Sequence, residues 1–585
     1  MRAQPFQESV PAAETQAAKV VRDVARGRDL VTTEVVSNYL VAVADEMKRT
    51  VVRTAMSPVI YEVLDFSTGV FDRRGRLVAQ TAGLAIFLGT LDWAVQAVLK
   101  KFGDDLHPGD VILTNDPYEG GGTHLNDVSV VAPVFDAGRL RGFVASRAHW
   151  MDIGGQVPLS VMTNATEIHQ EGLLLPVVKA YERGRPNRQL IDTLTANIRQ
   201  PETWKGDFGA QLAACHVGRR RLAELLARYG PEVVEDCIDA TLDATERLTR
   251  ERLEAMPDGR YRGVDFLDSD TVTGSPVRVE VAIEKSGADV TLDFTGSAPA
   301  TKSSYNLTYC GLVSGCRVLL RAITDPHGPT NDGCFRPLTV KAPPGTVVNA
   351  TKPSPVAMYG EVARRAIDAA WRALSEVIPQ GLPAGHFGTI CGQCMAGWDD
   401  RLAPSRYTSF SAPNGGGWGA TPDRDGESAL VCVSNGDTRN TPVEIIEARN
   451  PLMVTRYELR TDSGGPGKYR GGLGTTLEFL VETGGQYAAT FAAGRAERAA
   501  FGLHGGRDGV TNRVTVTRDG KTIAGLGRST AFLLEKGDLV TVESGGGGGW
   551  GDPRERDPRA IAEDVRLGYV SPEAAAGDYE WGTGP

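Results

Sequence analysis

Two histidines and several aspartates are concentrated in two short segments of this 585-residue sequence, which contains only eight histidines in all. The first segment, residues 115–127, carries His124 and Asp127 after three consecutive glycines, and the second, residues 147–155, carries His149. Imidazole nitrogens and carboxylate oxygens together suit a divalent cation such as Zn²⁺, Mn²⁺ or Fe²⁺. Two histidines and one carboxylate leave coordination positions open for water or a substrate, so the pattern indicates a catalytic metal site.

Three acidic residues near these segments are candidates for supporting roles. Asp152 follows His149 by three residues and is predicted to accept the free ring N–H of a ligating histidine, which would fix its tautomer. Upstream, Glu62 and Asp65 each offer a carboxylate, either as a further metal ligand or as a general base. The alternative interpretation is structural: the histidines would be hydrogen-bond donors in loops, and residues 115–117 would form an ordinary turn.

Other residues could join such a site or have purely structural roles. His169 lies close enough along the chain to reach the same pocket, and Arg147 could bind a phosphate or carboxylate. For both, the alternative is hydrogen bonding at the surface or within a loop.

Cys391 and Cys394 form the only Cys-x-x-Cys pair, and with no second pair to complete a zinc site they are predicted to be buried packing residues.

Helices and short strands must position these side chains. Apolar residues at three-and-four spacing predict helices over residues 33–57, 208–255 and 361–378. Short β-type segments are predicted at 69–72, 76–79, 110–114 and 128–135. Strict alternation at 277–283 and 290–294, joined across a Ser-Gly pair, predicts a β-hairpin, and residues beyond 440 are predicted to form mainly strands and glycine turns.

The predicted fold is α+β, with a mixed α/β metal-binding region at the amino terminus and a β-rich region at the carboxyl terminus. The predicted segments are a metal-site domain (1–260), a β-rich segment (261–345), an α+β segment (346–440), a glycine-rich β domain (441–551) and a polar tail with one short helix (552–585). Glycine makes up 69 residues, and the run Gly545–Gly549 could expose backbone N–H groups to an anion or form tight turns or a subunit contact.

Composition excludes several classes of function. The 63 basic and 73 acidic residues give a net charge of −10, and no basic stripe is present, so nucleic acid is not an expected partner. No apolar stretch is long enough to cross a bilayer, and Met1–Thr15 lacks the pattern of a signal peptide, which predicts a soluble, cytoplasmic protein. Since the sequence has no Gly-x4-Gly-Lys-Ser/Thr phosphate loop, any nucleotide is expected to be held by a partner.

Six segments of the sequence closely resemble the hydantoinase B/oxoprolinase family. They are LDFSTGVFDRRGRLVAQ (64–80), GDVILTNDPYEGGGTHLNDVSVVAPVF (109–135), SRAHWMDIGG (146–155), RPLTVKAPPGTVVNA (336–350), YELRTDSGGPGKYRGGLG (457–474) and GGGGGWGDPRERDP (545–558). This family includes the B-type subunits of ATP-dependent hydantoinases, oxoprolinases and caprolactamases, and the corresponding subunits of acetone and acetophenone carboxylases.

The resemblance implies a metal site and a partner. The implied ligands are His124, Asp127, His149 and either Asp65 or Glu62, and the metal is Zn²⁺ or Mn²⁺, with Fe²⁺ also suited. It further implies a hydantoinase A-type partner that binds ATP and phosphorylates the substrate oxygen. Because the labile product of that step must be kept from bulk solvent, a stable hetero-oligomer is expected.

Three functional hypotheses follow from the resemblance. In the first, the chain is the metal-bearing subunit of an ATP-dependent amidohydrolase that acts on a cyclic amide or imide such as a hydantoin, 5-oxoproline or a lactam. In the second, it belongs to an ATP-dependent ketone carboxylase. This second hypothesis draws support from Phe87, which stands where many hydrolase members carry a histidine before a Leu-Gly pair. In the third, the chain is a non-catalytic scaffold with structural histidines.

Overall fold

A computed structural model describes residues 29–81, 83–87, 89–375, 377–378 and 382–582. The segment Met1–Thr15, whose sequence lacks the pattern of a signal peptide, lies outside these residues. Among the helices that the structure describes, none combines the length and the apolar composition needed to cross a membrane.

The described residues form helices and strands in alternation along most of the chain. The helices are α1 (Leu30–Thr54), α2 (Pro58–Tyr61), α3 (Leu91–Phe102), α4 (Arg188–Asn197), α5 (Pro201–Tyr229), α6 (Pro231–Glu254), α7 (Tyr309–Thr324), α8 (Tyr359–Ser375), α9 (Val443–Arg449), α10 (Pro558–Arg566) and α11 (Pro572–Tyr579). The strands are β1 (Phe66–Asp72), β2 (Leu77–Gln80), β3 (Val111–Thr114), β4 (Asp127–Asp136), β5 (Arg139–His149), β6 (Val178–Glu182), β7 (Arg185–Pro186), β8 (Gly259–Leu267), β9 (Val277–Ser286), β10 (Asp289–Asp293), β11 (Leu338–Lys341), β12 (Gly392–Asp399), β13 (Arg406–Ala412), β14 (Leu452–Leu459), β15 (Thr475–Val481), β16 (Tyr487–Ala492), β17 (Arg513–Arg518), β18 (Lys521–Ile523), β19 (Phe532–Leu534) and β20 (Leu539–Glu543).

These strands pair into four sheets, which makes the fold α+β as predicted. An antiparallel seven-stranded sheet has the order β2-β1-β5-β4-β3-β6-β7. The others have the orders β11-β10-β9-β8, β13-β12-β16-β19 and β14-β15-β20-β17-β18. The predicted hairpin is confirmed: β9 and β10 are antiparallel, with Ser286 opposite Asp289.

The seven-stranded sheet is covered on both faces, and its central strands β1, β4 and β5 are therefore buried along most of their length. Val128 and Val130 of β4 join the apolar cluster that contains α1 and α5, whereas Val131, on the opposite face, packs with Leu91 and Val95 of α3. Alternate residues of a strand point to opposite faces, so each face of β4 is matched by its own helices. The central strands are thereby fixed on both sides, and their ends can hold side chains rigidly.

Several boundaries and element counts differ from the predictions. α1 begins earlier than expected because Asp29 caps it, accepting a hydrogen bond from the Val31 N–H at 3.0 Å. The predicted helix over 208–255 is two helices, since Gly230 has a φ of 81° and Pro231 starts α6. Helix α9 was not predicted, and the tail contains two helices, α10 and α11, instead of one.

The glycine run near the carboxyl terminus is buried and packs backbone against backbone. All five N–H groups of Gly545–Gly549 donate hydrogen bonds within the chain; that of Gly547 donates to the Gly472 carbonyl at 3.0 Å. A Cβ atom on Gly547 would lie 1.9 Å from the Trp418 carbonyl oxygen. The run therefore has no free N–H group for an anion, and close packing is the reason for its composition.

Candidate metal centre

Two neighbouring strands bring the first candidate residues together. Asp127 is the first residue of β4, His149 is the last of β5, and the antiparallel register places them directly opposite each other. His124 lies three residues before Asp127 in the loop between β3 and β4. That loop is anchored by Asn115, whose Nδ2 donates to the Leu125 carbonyl at 2.6 Å. The sheet register and one buried asparagine thus fix all three side chains.

Three ligand atoms form a nearly equilateral triangle. His124 Nε2 lies 3.1 Å from Asp127 Oδ1 and 3.2 Å from His149 Nδ1, and His149 Nδ1 lies 3.3 Å from the same carboxylate oxygen. Ligands about 2.0–2.1 Å from a tetrahedral zinc ion are roughly 3.3 Å apart, so the triangle has the right size for one face of such a site. Among the described residues, His124, Asp127 and His149 are the group of side chains that could hold a metal ion.

The two imidazole rings of the triangle stabilise the ionised form of the Asp127 carboxylate. Burial alone would raise the pKa of Asp127, but the charges and hydrogen bonds of His124 and His149 hold it well below its usual value. Burial would lower the pKa of His149, but its hydrogen bond to Asp127 and the negative charge of Asp65 raise it. Asp127 is therefore ionised at neutral pH, which is the state that a metal ligand requires.

A second set of contacts orients Asp127. Its other oxygen, Oδ2, accepts hydrogen bonds from the Thr123 hydroxyl and, at 3.3 Å, from the Tyr359 hydroxyl. The Tyr359 ring also packs against the ring of His124, with centroids 5.0 Å apart. Burial raises the pKa of Tyr359 well above its usual value, with Asp127 adding to the effect, so the hydroxyl keeps its proton and remains a donor.

The two upstream carboxylates are in different positions. Asp65 lines the same cavity as the triangle, its Oδ1 is buried without a hydrogen-bond partner, and its backbone carbonyl accepts the His149 N–H at 3.1 Å. Burial is the main reason why the pKa of Asp65 is raised to about 6. Glu62, at the end of α2, is not among the residues that line the cavity. Of the two alternatives, Asp65 is the one next to the histidines.

The predicted role of Asp152 is wrong. Its carboxylate does not face the imidazole rings: Oδ1 accepts hydrogen bonds from the Ser160 hydroxyl at 3.0 Å and from Arg199 Nη1 at 2.7 Å. Its other oxygen accepts the Arg199 backbone N–H at 2.9 Å. Sequence proximity to His149 suggested a contact, but the chain turns away after the end of β5. Asp152 therefore stabilises the following loop.

Five other candidates lie outside the triangle. Arg147 is fully buried, donates to the Gly121 carbonyl at 2.6 Å and stacks on the Phe87 ring, whose centroid is 5.5 Å from the guanidinium carbon. Neither Arg147 nor Phe87 lines the cavity, and His169 is exposed. The thiol of Cys391 is fully buried, and burial raises its pKa, in agreement with a packing role. Cys394 differs from this prediction, because it is only half-buried and lines the cavity.

The three residues of the triangle line a cavity of about 110 Å³. Most of the wall is apolar and comes from separate parts of the chain, namely Val59, Val63, Leu84, Ile86, Val161, Ala357, Met358, Ile390, Ala412 and Ala492. The first turn of α8 continues the lining from Tyr359 to Arg364, where a second polar group of residues lies. An apolar chamber with a few polar groups in its wall is typical of a small-molecule site.

Tyr359, Glu361 and Arg364 were not identified from the sequence. They lie more than 200 residues from His149 along the chain, and the pattern of α8 predicted only a helix. One signal was present: the helix contains charged residues on a side that apolar spacing places in the core, and both Glu361 and Arg364 are buried in the structure. Charged residues are almost never fully buried unless they are paired, so a charged helix face in the core is a signal of an ion-paired or functional site.

The residues of the triangle fit a divalent ion. The donor set is two imidazole nitrogens and an ionised carboxylate, the distances match, and two buried atoms beside it, His124 Nδ1 and Asp65 Oδ1, have no hydrogen-bond partner among the described residues. Buried polar atoms without partners are uncommon in folded proteins. The donor set and its spacing are the observations that fit the triangle to an ion.

Comparisons with known proteins identify the family to which the chain is similar. A family model described as hydantoinase B/oxoprolinase matches residues 29–553. The caprolactamase beta chain of Pseudomonas jessenii is 33% identical, covering 94% of this chain and 96% of its own, and the B-type component of a putative D-/L-hydantoinase from a Pseudomonas species is 30% identical, covering 94% and 95%. The crystal structure of ATP-dependent caprolactamase from P. jessenii superposes with a TM-score of 0.89 at 31% identity, covering 96% of this chain and 98% of that one.

Proposed function

The chain belongs to the hydantoinase B/oxoprolinase family, and from this premise we propose that it is the metal-bearing, B-type subunit of an ATP-dependent amidohydrolase that opens a cyclic amide or imide. The observation that carries the proposal is the triangle of His124, Asp127 and His149 in the wall of a mainly apolar cavity. Neither a scaffold nor a simple packing role explains why three buried polar side chains share one small chamber with an unpartnered carboxylate.

The three side chains of the triangle would hold the cation. When bound, a divalent ion supplies a positive charge that polarises an oxygen of the substrate and makes a neighbouring water more acidic. Tyr359 and Thr123 keep the Asp127 carboxylate in position through their hydrogen bonds to its second oxygen. These contacts fix the donor geometry before the substrate arrives, so little reorganisation is needed at the moment of reaction.

Asp65 is the proposed general base. It lines the cavity, and its buried Oδ1 has no partner, so it can accept a proton from a water molecule within hydrogen-bond reach. A carboxyl group whose pKa is raised to about 6 is a stronger base than an ordinary aspartate and is still ionised at neutral pH. The alternative that Asp65 is a fourth metal ligand stays open, because its carboxylate lies next to the same two histidines.

We further propose that an A-type partner holds ATP and activates the ring. An amide carbonyl is a poor electrophile, but transfer of the γ-phosphoryl group to its oxygen releases ADP and turns that oxygen into part of a leaving group. A first water molecule then adds to the carbon, and the ring C–N bond breaks with transfer of a proton to the nitrogen, which leaves an acyl phosphate. A second water molecule hydrolyses this acyl phosphate to the carboxylate and inorganic phosphate. The apolar wall of the cavity would protect the phosphorylated intermediate from bulk water until Asp65 directs the attack.

The test is turnover by the complex of this chain with its ATP-binding partner. The complex is incubated with ATP and a panel of hydantoins, lactams and 5-oxoproline, and ring-opened product and phosphate are measured. We expect stoichiometric, ATP-dependent ring opening that is lost in His149→Ala and kept in His169→Ala, since His169 is exposed and outside the cavity. Incorporation of labelled bicarbonate into an acid from a ketone, with no ring opening, would contradict the proposal and favour a carboxylase.

A further inference from the structure

A second group of polar residues lines the cavity besides the triangle. Helix α8 contributes Tyr359, which contacts Asp127, and then Glu361 and Arg364, which line the same cavity. A small ring bound in this cavity of about 110 Å³ can therefore contact both polar groups.

Arg364 is buried and fully engaged by its neighbours. Its Nη1 donates to Glu361 Oε1 at 3.0 Å, its Nε to the Ser434 hydroxyl at 2.9 Å and its Nη2 to Asn435 Oδ1 at 2.8 Å. Glu361 and Arg364 carry opposite charges and are both only 3% exposed. This second polar group therefore has no net charge, which favours an uncharged group of the ligand over a carboxylate.

The contact with Arg364 fixes the orientation of the Asn435 amide. A guanidinium group has donors only, so the atom of Asn435 that faces it must be the carbonyl oxygen. The Ser434 hydroxyl donates to the same oxygen at 2.9 Å. The NH₂ group of Asn435 must then point elsewhere, and among the described residues it has no hydrogen-bond partner. Asn435 lines the cavity and is 4% exposed.

We propose that Asn435 determines substrate specificity by donating a hydrogen bond from Nδ2 to a second carbonyl oxygen of the ring. The proposal rests on the proposed function and deepens it: the substrate is an uncharged cyclic imide or ureide, in which two carbonyl groups flank a ring N–H. One carbonyl lies at the triangle and the other at Asn435. Arg364 is a positioning residue, since it acts by holding the asparagine.

The same geometry disfavours two related rings. A simple lactam has one carbonyl, so when it occupies the cavity the Asn435 N–H groups are left without a partner in an apolar chamber. An unpaired buried donor is unfavourable, and sites built to donate to a ligand oxygen reject analogues that lack it. A lactam with a carboxylate, such as 5-oxoproline, brings a charge that Arg364 cannot neutralise because Glu361 already does so.

Binding to the metal-loaded chain tests the proposal without ATP. Succinimide and 2-pyrrolidone are five-membered rings that differ by one carbonyl, and their dissociation constants can be compared by ligand-observed NMR titration. We expect succinimide to bind about tenfold or more tightly. In Asn435→Ala the two constants should become nearly equal. Thr438→Val is the control. It removes the 2.6 Å hydrogen bond from the Thr438 hydroxyl to the backbone carbonyl of Asn435, but Thr438 does not line the cavity.

Equal affinities of the wild-type chain for the two rings would overturn the proposal, and this result does not depend on whether the Asn435→Ala variant folds. If Asn435→Ala keeps the wild-type ratio of the two dissociation constants, the assignment of specificity to Asn435 is wrong. Turnover by the complex separates this failure from failure of the proposed function. If the complex opens succinimide and 2-pyrrolidone at equal rates, the proposed amidohydrolase function stands and Asn435 is excluded as the determinant of specificity. If it opens neither of these rings nor any other, both the proposed function and the role of Asn435 are contradicted.

Discussion

Replacing Tyr359 by phenylalanine removes one hydroxyl group from the candidate metal centre and leaves the rest in place. The hydroxyl donates to Asp127 Oδ2 at 3.3 Å, while the ring packs on His124, a contact that phenylalanine retains. Asp127 would keep the Thr123 hydrogen bond but lose half of the support for its second oxygen. Loss of one such outer contact typically lowers metal affinity or activity by about 10–100-fold, which corresponds to roughly 1.4–2.7 kcal/mol.

The assay is competition between the protein and a chelator of known affinity for Zn²⁺. We expect Tyr359→Phe to weaken zinc binding by about 10–100-fold with little change in the melting temperature. Tyr309→Phe is the matched control, because the Tyr309 hydroxyl donates to the Val340 carbonyl at 2.8 Å, outside the cavity. Unchanged zinc affinity in Tyr359→Phe, or an equal loss in Tyr309→Phe, would refute the reasoning that Tyr359 orients a metal ligand.

Three further predictions concern other parts of the molecule. Burial raises the pKa of Glu171 from 4.5 to about 7, so the contribution of this carboxyl group to the free energy of unfolding is full below about pH 4.5 and falls by about 3 kcal/mol as the pH rises to 7. Melting temperatures of Glu171→Gln measured over this pH range should lack that part of the pH dependence. The same pH dependence in the wild type and the variant would contradict this prediction. Gly547→Ala should prevent folding or lower the melting temperature sharply, because the new Cβ would lie 1.9 Å from the Trp418 carbonyl oxygen. Gly520→Ala is the control: there is open space around Gly520, so this variant should lose only about 1 kcal/mol of the free energy of unfolding. Similar losses of stability in the two variants would be inconsistent with close backbone packing around Gly547. Asp65→Asn should reduce kcat of the complex by about 10²-fold while zinc is retained, and loss of the zinc instead would identify Asp65 as a ligand.

The strands and the residues of the triangle could be predicted because the information is local. His124 and Asp127 are neighbours in sequence, and antiparallel pairing of two strands joined by a short turn brings His149 opposite Asp127. Alternating or continuous apolar segments predicted β4, β9 and β10 for the same reason. In each case the decisive contact is between residues close together along the chain.

The rest of the site depends on contacts that span the chain. Tyr359 and Asn435 reach the cavity from segments more than 200 residues after His149, and one apolar cluster contains residues from Val36 through Val542. No periodicity encodes which segments meet. Asp152 shows the opposite error, since three residues of separation suggested a contact with the histidines, but Arg199 and Ser160 take its carboxylate. Proximity in sequence limits distance but does not determine direction.

The central claim is that His124, Asp127 and His149 together hold a divalent ion, and metal content measures it most directly. Protein purified without chelators should contain a single divalent ion per chain by elemental analysis. The double variant His124→Ala/His149→Ala should contain none, and His169→Ala, which changes an exposed histidine, should match the wild type. A wild-type chain without stoichiometric metal, or a double variant that retains it, would contradict the account.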